Sequence, residues 1–303
     1  MLLRHLRYLL AVAEHGNFTR AADALHVSQP TLSQQIRQLE ELLQVQLLDR
    51  SGRMVRLTDA GSTYLHYVRN ALRELEAGRR AIQDIQDLSR GELRIGLTPN
   101  FTHYLVGPLM ERFNEHYPHI AIQLLEMTQD GIEAALAEDK LELGIAFVDA
   151  QGHTRSAEIA SRPLFTEKLS LITGTAHRAK PKKLKLSIDN LQGEALALLT
   201  GDFATRQHID RFFKVQGVAP PVAMEANSIN AIVEIVRHGK LFTILPDYTV
   251  SMYEGLRPLQ LEPALPPRTV ALLRRKGAYV SAAARAFETL LIETVKDYPL
   301  AAA

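Results

Sequence analysis

The chain of 303 residues contains no cysteine, which excludes disulfides, thiolate metal sites and thiol-based redox sensing. It has no apolar run near the roughly 18 residues that a membrane span requires. The N-terminal stretch MLLRHLRYLLAVAEHG breaks its leucines with arginines, so it offers neither the apolar core nor the cleavage site of a secretory signal. A soluble, cytoplasmic protein with no membrane partner is expected. Catalytic signatures are also missing: there is no G-x-S-x-G, P-loop or G-x-G-x-x-G pattern. The 11 histidines are scattered, and the close pair His116 and His119 straddles Pro118, which argues against a shared helical face for a metal. Glu40 and Glu41 read as the solvated side of a helix. No catalytic residue, metal or cofactor is therefore expected.

Charge of one sign is scarce overall, since the formal net charge is only +1. Its distribution is uneven. Residues 1–90 hold 12 arginines, no lysine and 10 acids, while the remainder holds 23 basic and 24 acidic residues. The front of the chain thus favours the side chain that forks onto phosphate and guanine. With 46% hydrophobic residues, a chain of this length can bury a large core and build two or three domains.

Leu2, Leu6, Leu9, Leu10 and Ala13 form one helical stripe, ended by Gly16. Asn17 is a good N-cap for a second helix burying Phe18, Ala21, Ala22 and Leu25. After His26 and Val27, Ser28 caps a third helix, where Pro30 is harmless because first-turn N–H groups lack partners. That helix packs Leu32, Ile36, Leu39 and Leu43, leaving Gln29, Thr31, Ser33, Gln34 and Arg37 outside. Two short helices with a tight turn, the second presenting polar forks from its start, match a helix-turn-helix that reads the major groove. Taken alone, the same face also fits any solvated helix. The next segment, LLDRSGRMVRLT at 47–58, favours the first reading. It alternates around Ser51 and Gly52, and its Arg50, Arg53 and Arg56 suit a wing laid on DNA backbone or minor groove.

From Thr58 to Ser89 the chain has no proline. Tyr64, Val68, Ala71, Leu75, Gly78, Ile82 and Ile85 recur at alternating spacings of four and three, a heptad seam that calls for a partner helix and hence a homodimer. The alternative is a helix packed on its own domain.

From Gly91 onward, strand-like and helical stretches alternate, which implies a mainly parallel sheet. ELRIGL at 92–97, IAIQLLEM at 120–127 and LELGIAFV at 141–148 enclose helices near 107–117 and 131–138. LSLITG at 169–174, ALALLT at 195–200, PVAMEA at 221–226 and LFTIL at 241–245 form a second set, with helices at 204–216 and 229–238. SRPLFTEK at 161–168 and LEPALPPR at 261–268 look like two hinge strands. TVALLRRK at 269–276 and a helix at 281–296 would return to the first lobe. Two α/β lobes joined by a double crossover suit closure on a small molecule at strand C-terminal ends.

The pattern FTRAADALHVSQPTLSQQIRQLEELL…LLDRSGRMVRLTDAG resembles the winged helix-turn-helix of LysR-type transcriptional regulators, and the resemblance runs through the linker helix and the α/β region. Within that family, segments such as RIGLTPNFTHYLVGPLMERF, FATRQHID and EANSINAIVEIVR look most like regulators of cyanate degradation. The implied fold is multidomain. An all-α winged helix-turn-helix at 1–58 and a dimerising linker helix at 59–89 precede a two-lobed α/β, periplasmic-binding-protein-like effector domain at 90–303. Lobe I would be 90–162 with 267–303, and lobe II 163–266. The resemblance implies tetramers, double-stranded DNA carrying an interrupted inverted repeat, activation with RNA polymerase as a further partner, and a small-molecule effector, here cyanate. By motif, Gln29, Pro30, Thr31, Ser33, Gln34 and Arg37 take the base-contacting positions, and Arg50 and Arg53 the wing.

Effector contacts would come from Thr98, Pro99, Asn100, Phe101, Thr102, Thr128, Gln129, Phe147, Phe203, Ala204, Thr205, Asn227 and Ser228. Helix N-termini among these favour a small anion, although any of them can also be an ordinary loop cap. Many relatives carry Ser or Thr where Asn100 stands, a departure from the carboxylate-binding pattern. Two alternatives remain: a regulator of this family with a different effector or none, and a transport-type binding protein.

Overall fold

The computed structural model describes residues 3–52, 54–86, 91–149, 152–175 and 185–297. The chain divides into two compact units, Met1–Gln83 and Asp84–Ala303.

The first unit is built from α1 (Leu3–His15), α2 (Phe18–Ala24), α3 (Gln29–Leu43), β1 (Leu48–Asp49), β2 (Arg56–Leu57) and α4 (Asp59–Gln86). Helix α1 ends at Gly16, whose φ of +58° is a conformation that glycine adopts without a Cβ penalty. The buried stripe is rotated from the expected one: Leu6, Leu9, Ala11 and Val12 are buried, whereas Leu10 and Ala13 are half-buried. Asn17 and Ser28 do cap, accepting from the amides of Arg20 and Thr31. Leu32, Ile36 and Leu39 are fully excluded from water, each stabilising the fold by roughly 1.5–3 kcal/mol.

The wing strands pair Leu48 with Leu57 and Asp49 with Arg56. Arg53, one of the expected wing residues, lies outside the described residues. Thr58 starts α4, its Oγ1 accepting from the Gly61 amide at 2.9 Å while donating to the Gln46 carbonyl at 2.7 Å. A Cβ at Gly61 would stand 1.9 Å from the Leu47 carbonyl oxygen, so this close approach of helix to wing requires glycine.

The second unit has two sheets. Its elements are β3 (Gly91–Leu97), α5 (Val106–His116), β4 (Ile120–Glu126), α6 (Gln129–Ala137), β5 (Leu143–Val148), β6 (Ile159–Glu167), β7 (Leu169–Gly174), β8 (Lys185–Ser187) and α7 (Ile188–Leu191). They continue with β9 (Leu196–Leu199), α8 (Ala204–Gln216), β10 (Val222–Ala226), α9 (Ile229–His238), β11 (Phe242–Pro246), α10 (Tyr248–Met252), β12 (Leu256–Glu262), β13 (Arg268–Arg275) and α11 (Ala282–Asp297). A 3₁₀ turn at Pro99–His103 precedes α5.

Lobe I is the sheet β4-β3-β5-β13-β6, and lobe II is β10-β9-β11-β7-β12-β8. In lobe I, β4, β3 and β5 run parallel and β13 runs antiparallel to both β5 and β6; in lobe II, β10, β9 and β11 run parallel and β7 runs antiparallel to both β11 and β12. Lobe I buries Phe113, Phe287 and Leu291 on one face and Ile132 and Leu136 on the other. Lobe II does the same with Phe212 and Phe213, and with Ile232 and Val236.

The expected hinge needs two corrections. The β6–β13 ladder runs from Ile159 to Glu167, so the first crossover falls at Lys168, not at 163. The second hinge segment is not a strand: after β12 the chain crosses as an irregular stretch over 263–267, because three prolines in LEPALPP remove the amide donors a ladder needs.

Candidate functional site

Two groups of candidate residues emerge, one in each unit. On α3, Gln29, Pro30, Thr31, Gln34 and Arg37 are exposed and Ser33 is half-buried, all outside the packed stripe of Leu32, Ile36 and Leu39. The Thr31 hydroxyl lies 2.7 Å from that of Ser28, so capping also fixes its rotamer.

The wing differs from expectation. Glu40 is not on the solvated side of its helix: Oε1 accepts from the Leu47 and Leu48 amides at 2.9 and 3.1 Å, and Oε2 pairs with Arg50 at 2.7 Å. Arg50 also lies 5.2 Å from the Phe18 ring centre. Arg50 is therefore a tie between wing and recognition helix, and Arg56 is an exposed cation of the hairpin, opposite Asp49 in the β1–β2 ladder. The hydrogen bonds from the Ser51 hydroxyl and amide, helped by the Arg56 charge, hold the Asp49 carboxyl below the usual range.

Along α4 the seam divides. Val68 is buried in the first unit's core with Leu65, and Tyr64 is half-buried. Farther on, Ala71 and Gly78 are exposed, and Leu75 and Ile82 are 57% and 58% exposed. The Ile85 side chain lies outside the described residues.

In the second unit a cavity of about 220 Å³ lies between the lobes. Thr98, Pro99, Asn100, Thr128, Gln129, Phe147, Phe203, Ala204, Thr205 and Asn227 all line it, joined by Glu126, Met127 and Asp202. The C-terminal ends of β4 and β5, the segments after β3, β9 and β10, and the first turns of α6 and α8 supply these residues, as expected at strand C-terminal ends.

Three expected residues do not line the cavity. Phe101 is buried in the lobe I core, 5.3 Å from the Phe147 ring centre. Thr102 is exposed, and Ser228 caps α9 through the Ala231 amide.

Several of the lining groups are already committed. The Gln129 side-chain amide pairs with both the N–H and the carbonyl of Phe147 at 3.0 Å, and it also donates to Glu133 at 2.9 Å. Thr128 caps α6. The groups without a partner are more informative. The Thr98 hydroxyl is buried with no hydrogen bond, and α8 starts at Phe203 with no side-chain cap. Uncapped first-turn amides and the helix dipole together favour an anion.

Beneath the cavity runs a buried polar chain that the sequence did not reveal. Tyr104 donates to Glu167 at 2.7 Å, Glu167 pairs with Arg268, Arg268 donates to the Thr205 hydroxyl at 3.2 Å, and Asn100 donates to that hydroxyl at 2.7 Å. Burial, reinforced by the Glu167 charge, raises the Tyr104 hydroxyl well above its ordinary pKa. Arg268 also stacks on Phe147, 3.8 Å from the ring centre. Glu167 and Arg268 are paired where the two crossovers meet the lobe I sheet, and Thr205 belongs to lobe II, so the chain ties both lobes at the hinge. A second tie joins His103 to Tyr253 at 3.0 Å, with Tyr104 stacked on Tyr248.

Residues 3–62 match the family described as "Bacterial regulatory helix-turn-helix protein, lysR family", and residues 86–296 match "LysR substrate binding domain". The chain belongs to the LysR family of transcriptional regulators. A hydrogen peroxide-inducible genes activator of Dickeya chrysanthemi is 32% identical over 281 residues, covering 92% of this chain and 90% of that protein. A RuBisCO operon transcriptional regulator of Allochromatium vinosum is 29% identical over 296 residues, covering 96% and 95%. In fold, a full-length OxyR variant from Pseudomonas aeruginosa superposes with a TM-score of 0.69 at 24% identity, over 99% of this chain and 96% of that one.

This LysR-family regulator thus combines a DNA-binding helix-turn-helix with a two-lobed α/β effector-binding domain, and its relatives are transcriptional regulators, not enzymes. The narrower likeness to cyanate-operon regulators gains no support from these relatives, whose names concern peroxide-inducible genes and the RuBisCO operon. Among the described residues no helix is long and apolar enough to cross a membrane.

Proposed function

We propose that this regulator reads an interrupted inverted repeat in promoter DNA and is switched by a small anionic ligand in the 220 Å³ cavity between its lobes. The observation that carries the ligand reading is the pairing of an uncapped α8 N-terminus with the unpartnered Thr98 hydroxyl in one cavity. The volume equals roughly seven waters at about 30 Å³ each, which suits a ligand of few heavy atoms. Glu126 and Asp202 in the lining oppose a multiply charged anion. Cyanate fits these limits, as do azide and short carboxylates. A peroxide response like that named for the relatives would have to proceed without a thiol, because the chain has no cysteine.

Base reading is assigned to Gln29, Pro30, Thr31, Ser33, Gln34 and Arg37, and backbone contact to Arg53 and Arg56. Exposed Leu75 and Ile82 support a homodimer through α4, with two such dimers forming a tetramer that activates by contact with RNA polymerase. Replacing both with glutamate would place unpaired charge in the seam. The substitution should raise the dimer dissociation constant by at least about a hundredfold in sedimentation, and unchanged assembly would remove α4 as the dimer contact.

The decisive experiment selects genomic fragments bound by the purified protein, then titrates cyanate, azide and short carboxylates calorimetrically against wild type and Thr98→Val. Binding that weakens in the variant, with an altered footprint on the selected fragment, supports the reading. No binding by any of these ligands sinks it.

A further inference from the structure

A second and larger depression, of about 510 Å³, adjoins the first cavity and shares Gln129, Phe147 and Ala204 as a common wall. We propose that it is a separate site for a polyanionic small molecule, one carrying phosphate or paired carboxylates, that acts as a co-ligand of the regulator.

The charges of the two compartments are opposite in sense. The first cavity is lined by Glu126 and Asp202 and by no cation. The second is lined by Arg155, Arg211 and Arg268, with the rings of His153 and His208, against Glu133 and Asp149. Its volume falls within the roughly 300–1,000 Å³ usual for ligand pockets.

The acids in the second compartment are already engaged. Glu133 is buried and accepts from Gln129 and from the Ser156 amide, each at 2.9 Å. Asp149 accepts from the His153 amide at 2.7 Å. Of the arginines, Arg155 pairs with Asp130 and Arg268 with Glu167, which leaves Arg211 as the uncommitted one among the described residues. Arg211 is exposed and has no ion pair among the described residues. His208 sits one turn before Arg211 on α8, so both share a helix face, and its Nε2 donates to the Pro266 carbonyl at 2.8 Å, which fixes the ring at the wall of the depression. Arg268 keeps a buried Nε–H with no partner.

The site also spans the lobes. Arg155 belongs to the loop after β5 in lobe I, where it pairs with Asp130 and reaches Gln207 of α8 at 3.3 Å. Arg211 and His208 belong to lobe II. A ligand with two anionic groups would engage Arg155 on one side and Arg211 on the other, adding to the tie that Arg155 already makes. The shared wall couples the sites, since whatever shifts Phe147 or Gln129 in one compartment is felt in the other.

The test is calorimetric titration of full-length protein, in a buffer free of phosphate, with inorganic pyrophosphate and separately with citrate. The proposal expects saturable binding of one or both, and the arm that binds distinguishes phosphate from carboxylate chemistry. Affinity should fall about tenfold in Arg211→Ala, the loss of one charge-assisted contact, and further in Arg211→Glu. It should be largely kept in Arg211→Lys and unchanged in Arg274→Ala on an exposed face. Arg211 is exposed, so these variants retain the fold, which circular dichroism checks. Thr98→Val should leave this titration intact while weakening ligands of the first cavity, so failure of that reading is separable from failure of this one. Absence of saturable binding by either anion overturns the second site. So does binding that Arg211→Glu leaves unchanged, or that Thr98→Val abolishes.

Discussion

Helices α3 and α8 both begin at a functional surface, yet they use their first turns in opposite ways. Ser28 caps α3 by accepting from the Thr31 amide, and the polar side chains that follow stand in solvent. Helix α8 has no side-chain cap, and Thr205 in its first turn is buried. A first turn satisfied by its own chain leaves side chains to do the recognising, whereas an unsatisfied one leaves the backbone to do it. The difference suits the two targets: base edges in a groove are reached by projecting forks, and a small anion is held by converging N–H groups.

The contrast breaks most severely at the buried end. Removing one partner of a buried ion pair leaves the other charge uncompensated, at a cost of about 3–5 kcal/mol. Glu167→Gln should therefore lower the stability of the effector unit by that amount in denaturant unfolding. The double variant Glu167→Gln with Arg268→Met should recover much of the loss, because it removes the stranded charge. A single variant as stable as wild type would mean that the hinge pair carries no such role.

On the exposed side the corresponding anchor is Glu40. Its carboxylate holds two wing amides and Arg50, and hydrogen bonds to a charged group contribute about 1.5–3 kcal/mol. Glu40→Ala should cost the first unit roughly 2 kcal/mol and release the Leu47 and Leu48 amides to fast hydrogen exchange. Persisting protection there would show that the β1–β2 pairing suffices without it.

How much of each region was legible follows from where its signals lie. The recognition helix was readable because cap, proline and apolar spacing all lie within residues 28–43, and the structure buries Leu32, Ile36 and Leu39 as the spacing predicts, with Leu43 half-buried. Helices α8 and α9 likewise begin and end where the sequence indicates. The cavity walls were readable only as loop positions after strands. Phe101 belongs to the loop after β3 that the resemblance places at the effector, but the 3₁₀ turn points it into the core. Glu40 looked solvated because the wing that consumes it lies seven residues away. The chain from Tyr104 through Glu167 and Arg268 to Thr205 joins residues up to 101 positions apart, and no spacing rule reaches that far.

Within the DNA-binding unit, the division between reading and holding is sharpened by comparing α3 with the wing. Gln29→Ala should cost about 1–3 kcal/mol on the cognate site and much less on random DNA. Arg56→Ala should weaken both about equally and reduce the salt slope by about one phosphate contact. Equal losses on both DNAs for both variants would erase the distinction.

The smallest effect expected is a pH dependence confined to the effector unit. Burial lowers the pKa of His103, partly opposed by the Glu126 charge. Burial also lowers that of His208, helped by the nearby Arg268 and Arg211 cations. Both rings are thus held neutral in the folded state, whereas in the unfolded chain they take up a proton near the ordinary value of about 6.5. Below that value the unfolded state binds more protons, so this contribution to stability is complete above about pH 6.5 and fades as pH falls toward the lowered values. Urea midpoints should decline between about pH 7 and pH 5.5, before most carboxylates protonate. The combined His103→Gln and His208→Gln variant should flatten that decline. An equally steep decline in the variant would assign it to other groups, leaving the two histidines as hydrogen-bonding partners of Tyr253 and Pro266 alone.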